Sequence, residues 1–356
     1  ATGNQTIPVI ATVPNENSGK LKPSTGWPVV IFQHGITRNR SDALAISATL
    51  AAQGFAVIAI DLPLHGLPAN SPFNIENSPF GPVANERTFA VDYVNNSTGA
   101  AGGDQVADPS GTHFINLSSL LTSRDNVRQG VADLFVLAKT IPNIDFDGNG
   151  ADFDGSRIAF TGQSLGSIVG TQFVALESTV NQAVLSVPGG GIARLLEASP
   201  TFGPRIRAGL AASAGLQPGT ATYDSFFGAT QQVIDSADPI NYAFATAPKA
   251  ILLHEVVGNG ADVLPDQVIP NAVAGAPLSG TEPLIRAMAL STLSSTTLSD
   301  NPVRGVVRFV AGDHGSLLSP TASLLATMEM QGQMASFIAS GGKAVLVQNS
   351  SVIRAQ

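Results

Sequence analysis

Six short apolar runs divide the chain, and polar or glycine-rich stretches separate them. They occupy residues 29–32, 56–60, 158–160, 183–185, 250–253 and 306–310. Their apolar side chains are nearly continuous instead of alternating, which is typical of strands covered on both faces. The pattern therefore predicts a buried, mostly parallel sheet.

Apolar residues at helical spacing lie between these runs. The segment from Ser123 carries such a pattern until Pro142, and residues 43–53 and 321–340 carry others that end at Gly54 and Gly341. Glycine commonly terminates a helix because it adopts the left-handed conformation at no steric cost. The alternation of strands and helices predicts right-handed crossovers and one doubly wound α/β domain over residues 1–356.

Three connections are too long for ordinary loops of such a domain. They cover about residues 67–122, 189–248 and 271–303, and they are rich in Pro, Gly, Ser and Asn. Connections of this length are often lids or binding elements. They contain Phe73, Phe80, Phe89, Phe114, Phe202, Phe226 and Phe227. These side chains either anchor the insertions to the core or line an apolar substrate groove.

The string Gly162-Gln163-Ser164-Leu165-Gly166 follows a predicted strand and precedes a predicted helix. A chain with 36 Gly in 356 residues produces a G-x-S-x-G string readily by chance, so the context decides. In that context the string is a nucleophile elbow, a strained turn that presents the serine hydroxyl at the carboxyl edge of a sheet. Ser164 is the predicted nucleophile.

The catalytic base of this arrangement follows the nucleophile in the chain. Of the five histidines, only His254 and His314 lie after Ser164. His254 sits inside the predicted strand ILLHEV, as a core histidine would. His314 follows a strand in the turn AGDHG, so it is the predicted base.

Two carboxylates compete for the role of the acid. Asp262 and Asp266 both follow the strand that contains His254. Asp262 lies nearer the strand, whereas Asp266 opens DQVIP, a pattern common in acid loops, and the sequence favours Asp266. Asp313 is a poor candidate because adjacent side chains usually diverge.

Two backbone amides could stabilise the oxyanion of a tetrahedral intermediate. Leu165 opens the helix after the nucleophile, and Ile36 follows the first long strand in QHGIT. His34 in the same loop is interpreted as structural. With these groups, His314 would activate Ser164 for acyl transfer while Asp266 fixes its tautomer.

Residues Asp145, Asp147 and Asn149 match the first half of a calcium-binding EF-hand loop. Ser156 stands at the twelfth position, where a bidentate Glu is expected. A plain Asp/Gly turn is the favoured interpretation, and a structural calcium is the alternative. No other cofactor is expected.

Composition narrows the class of protein further. The net charge is −8, and the 18 Lys and Arg residues are scattered, which argues against a nucleic-acid partner. The chain has no Cys, which excludes disulfides and thiolate catalysis. No apolar run approaches the ~20 residues of a membrane span. The first residue is Ala1, as expected after removal of a signal peptide or after trimming.

Several blocks together resemble the bacterial extracellular (virulence-factor type) lipase family. They are FQHGITRNRSDALA, AIDLPLHG, GTHFINLSSLLTSRDNVRQGVADL, RIAFTGQSLGSIVG, PDQVIPN and GDHGSLL, spread over about residues 28–316. The resemblance implies an α/β-hydrolase fold and an exported carboxylic ester hydrolase. It also implies triad roles for Ser164 and His314 and amide roles for Ile36 and Leu165. A monomer is the expected oligomeric state.

Members of that family include phospholipases and polyester hydrolases that act on poly(ethylene terephthalate). The chain differs from cutinase-like polyester hydrolases in lacking a disulfide and in carrying Gln163 before the nucleophile. The expected substrate is thus a hydrophobic ester, either lipid or polyester. A phospholipase or lysophospholipase, a peptidase or other acyl hydrolase, and a non-catalytic binding module are the alternatives.

Overall fold

The computed structural model describes residues 3–355. The chain divides into two compact units, Ala1–Gly155 and Ser156–Gln356. The prediction of one domain over residues 1–356 stays a prediction.

The first unit contains a three-stranded part of the sheet. Its strands are β1 (Val9–Thr12), β2 (Trp27–Gln33) and β3 (Ala56–Ile60), in the order β1-β3-β2. Strand β2 runs parallel to β3, whereas β1 is antiparallel to it. Every residue of β2 and β3 is buried, as the continuous apolar runs predict. The short edge strand β1 was not predicted.

Two helices accompany these strands. Helix α1 (Leu44–Ala51) precedes Gly54, whose φ of 84° places it in the left-handed region that ends a helix. Helix α2 (Leu120–Thr140) buries the predicted apolar stripe that includes Val127 and Leu134. Both helices confirm the predicted segments to within a few residues. Between residues 67 and 119, the regular structure is one short 3₁₀ turn, Ile75–Asn77, and isolated bridges.

The second unit contains the remaining parallel strands. They are β4 (Phe153–Gln163), which begins in the first unit, β5 (Val180–Ser186), β6 (Ala250–Val256), β7 (Ser291–Thr292) and β9 (Arg304–Phe309). Their order is β4-β5-β6-β9-β7, and all neighbours are parallel. A separate antiparallel pair joins β8 (Thr297–Leu298) to β10 (Ala344–Val345). The carboxyl ends of β4, β5, β6 and β9 therefore meet at one edge of the sheet.

The second unit also contains six helices in its described part. They are α3 (Leu165–Leu176), α4 (Ile192–Ala198), α5 (Gly203–Ala214), α6 (Ala221–Ile234), α7 (Thr281–Ala287) and α8 (Leu324–Ala339). Helix α8 confirms the predicted segment 321–340. The predicted insertion 189–248 is not a plain loop, because α4, α5 and α6 fill most of it.

The phenylalanines of the insertions differ in burial, and Phe202 and Phe226 are half-buried. Phe114 and Phe227 are fully buried, which agrees with the interpretation that these side chains anchor the insertions to the core. Phe73, Phe80 and Phe89 are at least half exposed. Among residues 3–355, no helix combines the length and apolar character that a membrane crossing requires.

Candidate active site

Ser164 occupies a strained turn between β4 and α3. Its φ of 55° and ψ of −119° are unusual for a residue with a side chain, and such strain concentrates at functional positions. Gly162 passes so close to Gly166 that a Cβ there would lie 2.7 Å from its carbonyl. The local sequence therefore forms the predicted elbow, and glycine at 162 is a steric requirement.

Hydrogen bonds to the neighbouring strand hold the elbow in place. The Ser164 amide donates to the carbonyl of Ser186 at the end of β5 (2.9 Å). The hydroxyl of Ser167 donates to the same carbonyl (2.9 Å). The Leu165 amide lies at the first position of α3, where an N–H has no acceptor within its own helix. It also carries the positive end of the helix dipole, as an oxyanion donor would.

His314 is paired with Asp266. Its Nδ1 lies 2.7 Å from Asp266 Oδ2, across 48 positions of sequence. The Asp266 side chain is almost fully buried, whereas that of His314 is 18% exposed and accessible to a substrate. A carboxylate bonded to Nδ1 leaves Nε2 as the nitrogen that can accept a proton.

Backbone groups fix the other oxygen of Asp266. Oδ1 accepts from the amides of Val268 (2.7 Å) and Ile269 (2.9 Å). The Asp266 amide itself donates to the carbonyl of Val256, the last residue of β6 (3.1 Å). These bonds orient the carboxylate toward His314 before any substrate binds.

The competing carboxylate, Asp262, is not at His314. It is exposed, and it accepts a hydrogen bond from Asn259 Nδ2 (2.7 Å), which lowers its pKa below the ordinary value. The structure therefore brings Asp266 to the histidine. The pattern DQVIP identified the paired residue, whereas proximity to the strand end did not.

Gln163 joins the base to the elbow. Its Nε2 donates to the backbone carbonyl of His314 (2.5 Å), and its side chain is buried. The Asp313 carboxylate shapes the same turn, since it accepts from the Gly315 amide (2.9 Å) and from the Ser316 hydroxyl (3.0 Å). The sequence contained no signal for these positioning roles beyond the adjacency of Gln163 to Ser164.

Within residues 3–355, no hydrogen bond joins the Ser164 hydroxyl to His314. Bonds of this kind are often loose in a free enzyme and tighten when a substrate binds. The hydrogen bond from Gln163 ties the end of β4, next to Ser164, to the turn that carries His314.

Ile36 belongs to the first unit. It is half-buried in a turn after β2, closed by a hydrogen bond from the Arg38 amide to the Gly35 carbonyl (3.2 Å). Its role as the second amide donor stays a prediction. In the same loop, His34 is fully buried, and both its ring nitrogens are bonded to backbone groups, as expected of a structural residue.

A buried carboxyl lies one residue before Val256. Glu255 contacts Arg308 on β9 (3.0 Å), and that guanidinium also binds Glu282 of α7 (2.9 Å). Burial, followed by the charge of Glu282, raises the pKa of Glu255 to about 8. Glu255 therefore changes its protonation state at a pH near 8, just before the loop that carries Asp266.

The acidic turn of the first unit is held by its own hydrogen bonds. Asp145 accepts from the amides of Gly148 (2.7 Å) and Gly150 (3.1 Å). Asp152 is bonded to Lys22 Nζ (2.5 Å). The ligand atoms of Asp145, Asp147 and Asp152 lie within 4.8 Å of one another. A calcium ion at this turn stays a prediction.

Part of the chain is similar to a known protein family. The family described as platelet-activating factor acetylhydrolase, isoform II, matches residues 4–63, well under half of the chain. No curated protein sequence is significantly similar to the chain.

Two solved structures are similar over 95% of the chain. The Pyrococcus horikoshii acylaminoacyl peptidase has a TM-score of 0.50 at 12% identity, and 40% of it is covered. A puromycin-hydrolyzing peptidase of Mycobacterium tuberculosis has a TM-score of 0.51 at 14% identity, and 38% of it is covered. The chain thus spans about two fifths of the length of either protein. It has the α/β-hydrolase fold, with a mostly parallel sheet, which confirms the predicted fold class.

Proposed function

We propose that this protein is a serine hydrolase of carboxylic esters. The observation that carries the proposal is the 2.7 Å contact of His314 with Asp266, on a turn that Gln163 ties to the strained Ser164 elbow. A strained serine, a histidine oriented by a carboxylate and an amide at a helix start are the parts that acyl transfer requires. Fold alone would not support this, since the fold hosts several activities.

The proposed reaction proceeds through an acyl-enzyme. The Ser164 hydroxyl attacks the ester carbonyl while His314 Nε2 takes its proton. The Leu165 amide stabilises the oxyanion, with the Ile36 amide as the second donor. His314 then protonates the leaving alcohol. Water repeats the sequence and releases the acid. Asp266 holds the tautomer of His314 and stabilises the imidazolium.

The substrate we propose is a hydrophobic ester, in the form of a lipid or a polyester such as poly(ethylene terephthalate). The match to an acetylhydrolase family supports an ester substrate. The resemblance to bacterial extracellular lipases supports a secreted or surface-attached enzyme. Membership in that family, and the activity on polyester, are parts of this proposal.

A substrate panel tests the proposal. Wild type and Ser164→Ala are compared on a p-nitrophenyl ester, an emulsified triglyceride, a phospholipid, a peptide amide and a polyester film. We expect hydrolysis of at least one neutral ester by the wild type, and a loss of roughly 10⁴-fold or more in the variant. Preferential cleavage of the phospholipid would favour a phospholipase on the same site, and preferential cleavage of the peptide would replace the ester substrate class. A wild type that hydrolyses none of them would refute the function.

A further inference from the structure

A groove opens beside His314 in the second unit. It has a volume of about 440 Å³. Its walls come from the loop that carries Asp266 and from the turn that carries His314. The apolar residues of these walls are Val263, Leu264, Pro265, Val268 and Ala322. The volume is within the usual range of sites for small organic ligands, about 300–1,000 Å³.

The proton transfers of ester cleavage determine which part of an ester can reach this groove. His314 must protonate the leaving oxygen, so the alcohol part has to pass within hydrogen-bond distance of its ring. Nδ1 is occupied by Asp266, which leaves Nε2 for that transfer. The acyl carbon stays at Ser164, next to the Leu165 amide. Because His314 lines the groove, an alcohol bonded to its ring would lie beside the groove.

The apolar wall is open to a ligand. Leu264 is 63% exposed although it lies in a concave site, and Pro265 and Ala322 are also exposed. Covering such a side chain with an apolar group stabilises a complex by about 25 cal/mol for each Å² removed from water. An alkyl or aryl alcohol would gain this contact, whereas methanol or ethanol would not.

The charged members of the lining are all acidic. Asp262 and Asp313 contribute carboxylates, and no Lys or Arg is among the lining residues of this described region. The bond from Asn259 keeps Asp262 ionised by lowering its pKa. The groove therefore has a negative potential, which repels an anion and attracts a cation.

We infer that this groove binds the alcohol part of the ester, and that it selects apolar alcohols that are neutral or cationic over anionic ones. The inference rests on the proposed function, because it assigns the leaving group of that reaction.

The first test concerns the apolar wall. We compare kcat/KM of Leu264→Ala and wild type on 3,3-dimethylbutyl acetate, ethyl acetate and ethyl octanoate. The variant should lose roughly five- to tenfold on the first ester, because about 50 Å² of apolar contact is lost, and less than twofold on the other two. Leu278→Ala is the control, since Leu278 is 61% exposed and does not line the groove. A loss that follows the octanoyl chain instead would overturn the inference.

The second test concerns the charge. Asp262→Asn is compared with wild type on 3,3-dimethylbutyl acetate, on its isosteric quaternary ammonium analogue and on 3-sulfopropyl acetate. The cationic-to-neutral ratio of kcat/KM should fall by about two- to fivefold, and the anionic-to-neutral ratio should rise by a similar factor. The effect should shrink at 1 M salt. Asp300→Asn, an exposed carboxylate outside the groove, is the matched control.

The outcomes distinguish a failure of the groove assignment from a failure of the esterase proposal. An active wild type whose ratios do not change in Leu264→Ala and Asp262→Asn overturns the groove assignment and leaves the esterase proposal standing. A wild type that hydrolyses none of the esters and reacts with no fluorophosphonate overturns both, because there is then no leaving alcohol to bind.

Discussion

The side chain of Gln163 donates a hydrogen bond to the backbone carbonyl of His314 at 2.5 Å, across 151 positions of sequence. Gln163 is the residue before the proposed nucleophile, so a single bond joins the strand that carries Ser164 to the turn that carries the proposed base. Asp266 holds the same histidine by its ring. The histidine is therefore constrained at its backbone by the end of β4 and at its side chain by the loop that carries Asp266.

Gln163→Leu is expected to lower kcat about tenfold and to change KM less than twofold, because the His314 carbonyl loses its donor and the ring shifts from Ser164. Steady-state kinetics measure this split. Gln182→Leu is the control, since Gln182 makes the same type of bond, to the Ile338 carbonyl, near the start of β5. Equal kinetic effects of the two variants would show that Gln163 acts only on stability.

Asp266→Asn is expected to reduce kcat by about 10³–10⁴-fold on a neutral ester, because an amide no longer holds the required His314 tautomer. Asp262→Asn should lose less than tenfold on the same ester, since Asp262 contacts Asn259 and not the histidine. The two rates, with circular dichroism to verify folding, decide between the carboxylates. The reverse order of losses would assign the acid to Asp262.

His34 is expected to make the fold sensitive to acid. Its Nδ1–H donates to the Gly35 carbonyl and its Nε2 accepts from the Leu62 amide, so only the neutral ring fits. Burial, with the nearby Arg38 and Arg40, lowers its pKa to about 4. The unfolded chain binds this proton near pH 6.5, so the stabilisation present above that pH is lost as pH falls toward 4.

The measurement is urea unfolding of wild type and His34→Gln between pH 7 and pH 4. The wild type should lose on the order of 2 kcal/mol more than the variant over this range. Parallel losses in the two proteins would contradict the assignment of the neutral ring.

Glu255 is expected to have the opposite effect at higher pH. Because its folded pKa is raised to about 8 by burial and by Glu282, the folded chain holds this proton more tightly than the unfolded chain does. The stabilisation is complete below the unfolded pKa of about 4.5 and is lost as pH rises through 8. Thermal unfolding should show the midpoint of wild type falling relative to Glu255→Gln from pH 5 to pH 9. A constant difference between the two unfolding midpoints would mean that the Glu255 carboxyl is already ionised at pH 5.

The sequence was sufficient for the features that depend on local pattern. Continuous apolar runs predicted the buried strands, because a strand covered on both faces has no polar side to show. The fixed spacing of Gly162, Ser164 and Gly166 predicted the strained turn, because the close backbone approach admits no side chain. Chain order then reduced the five histidines to His254 and His314, and the position of His314 in a turn after a strand favoured it as the base.

The features that the sequence did not predict depend on contacts between residues that are far apart in the chain. The bond from Gln163 to His314 joins positions that no periodicity relates. Helices α4 to α6 lie in a segment whose many Gly, Pro and Ser residues resemble a loop, yet Tyr223 and Phe227 are buried against their neighbours and stabilise helical structure there. The contact of His314 with Asp266 instead of Asp262 also depends on loop geometry, which brings the residue farther from the strand end to the histidine.

Reaction with a fluorophosphonate, followed by peptide mass spectrometry, tests most directly whether Ser164 is an activated nucleophile. An activated serine attacks phosphorus, whereas an ordinary serine does not. We expect one adduct per chain, located on Ser164, that is absent from Ser164→Ala and is strongly reduced in His314→Ala. An adduct on a different residue, or a hydrolytically active chain that is never labelled, would contradict it.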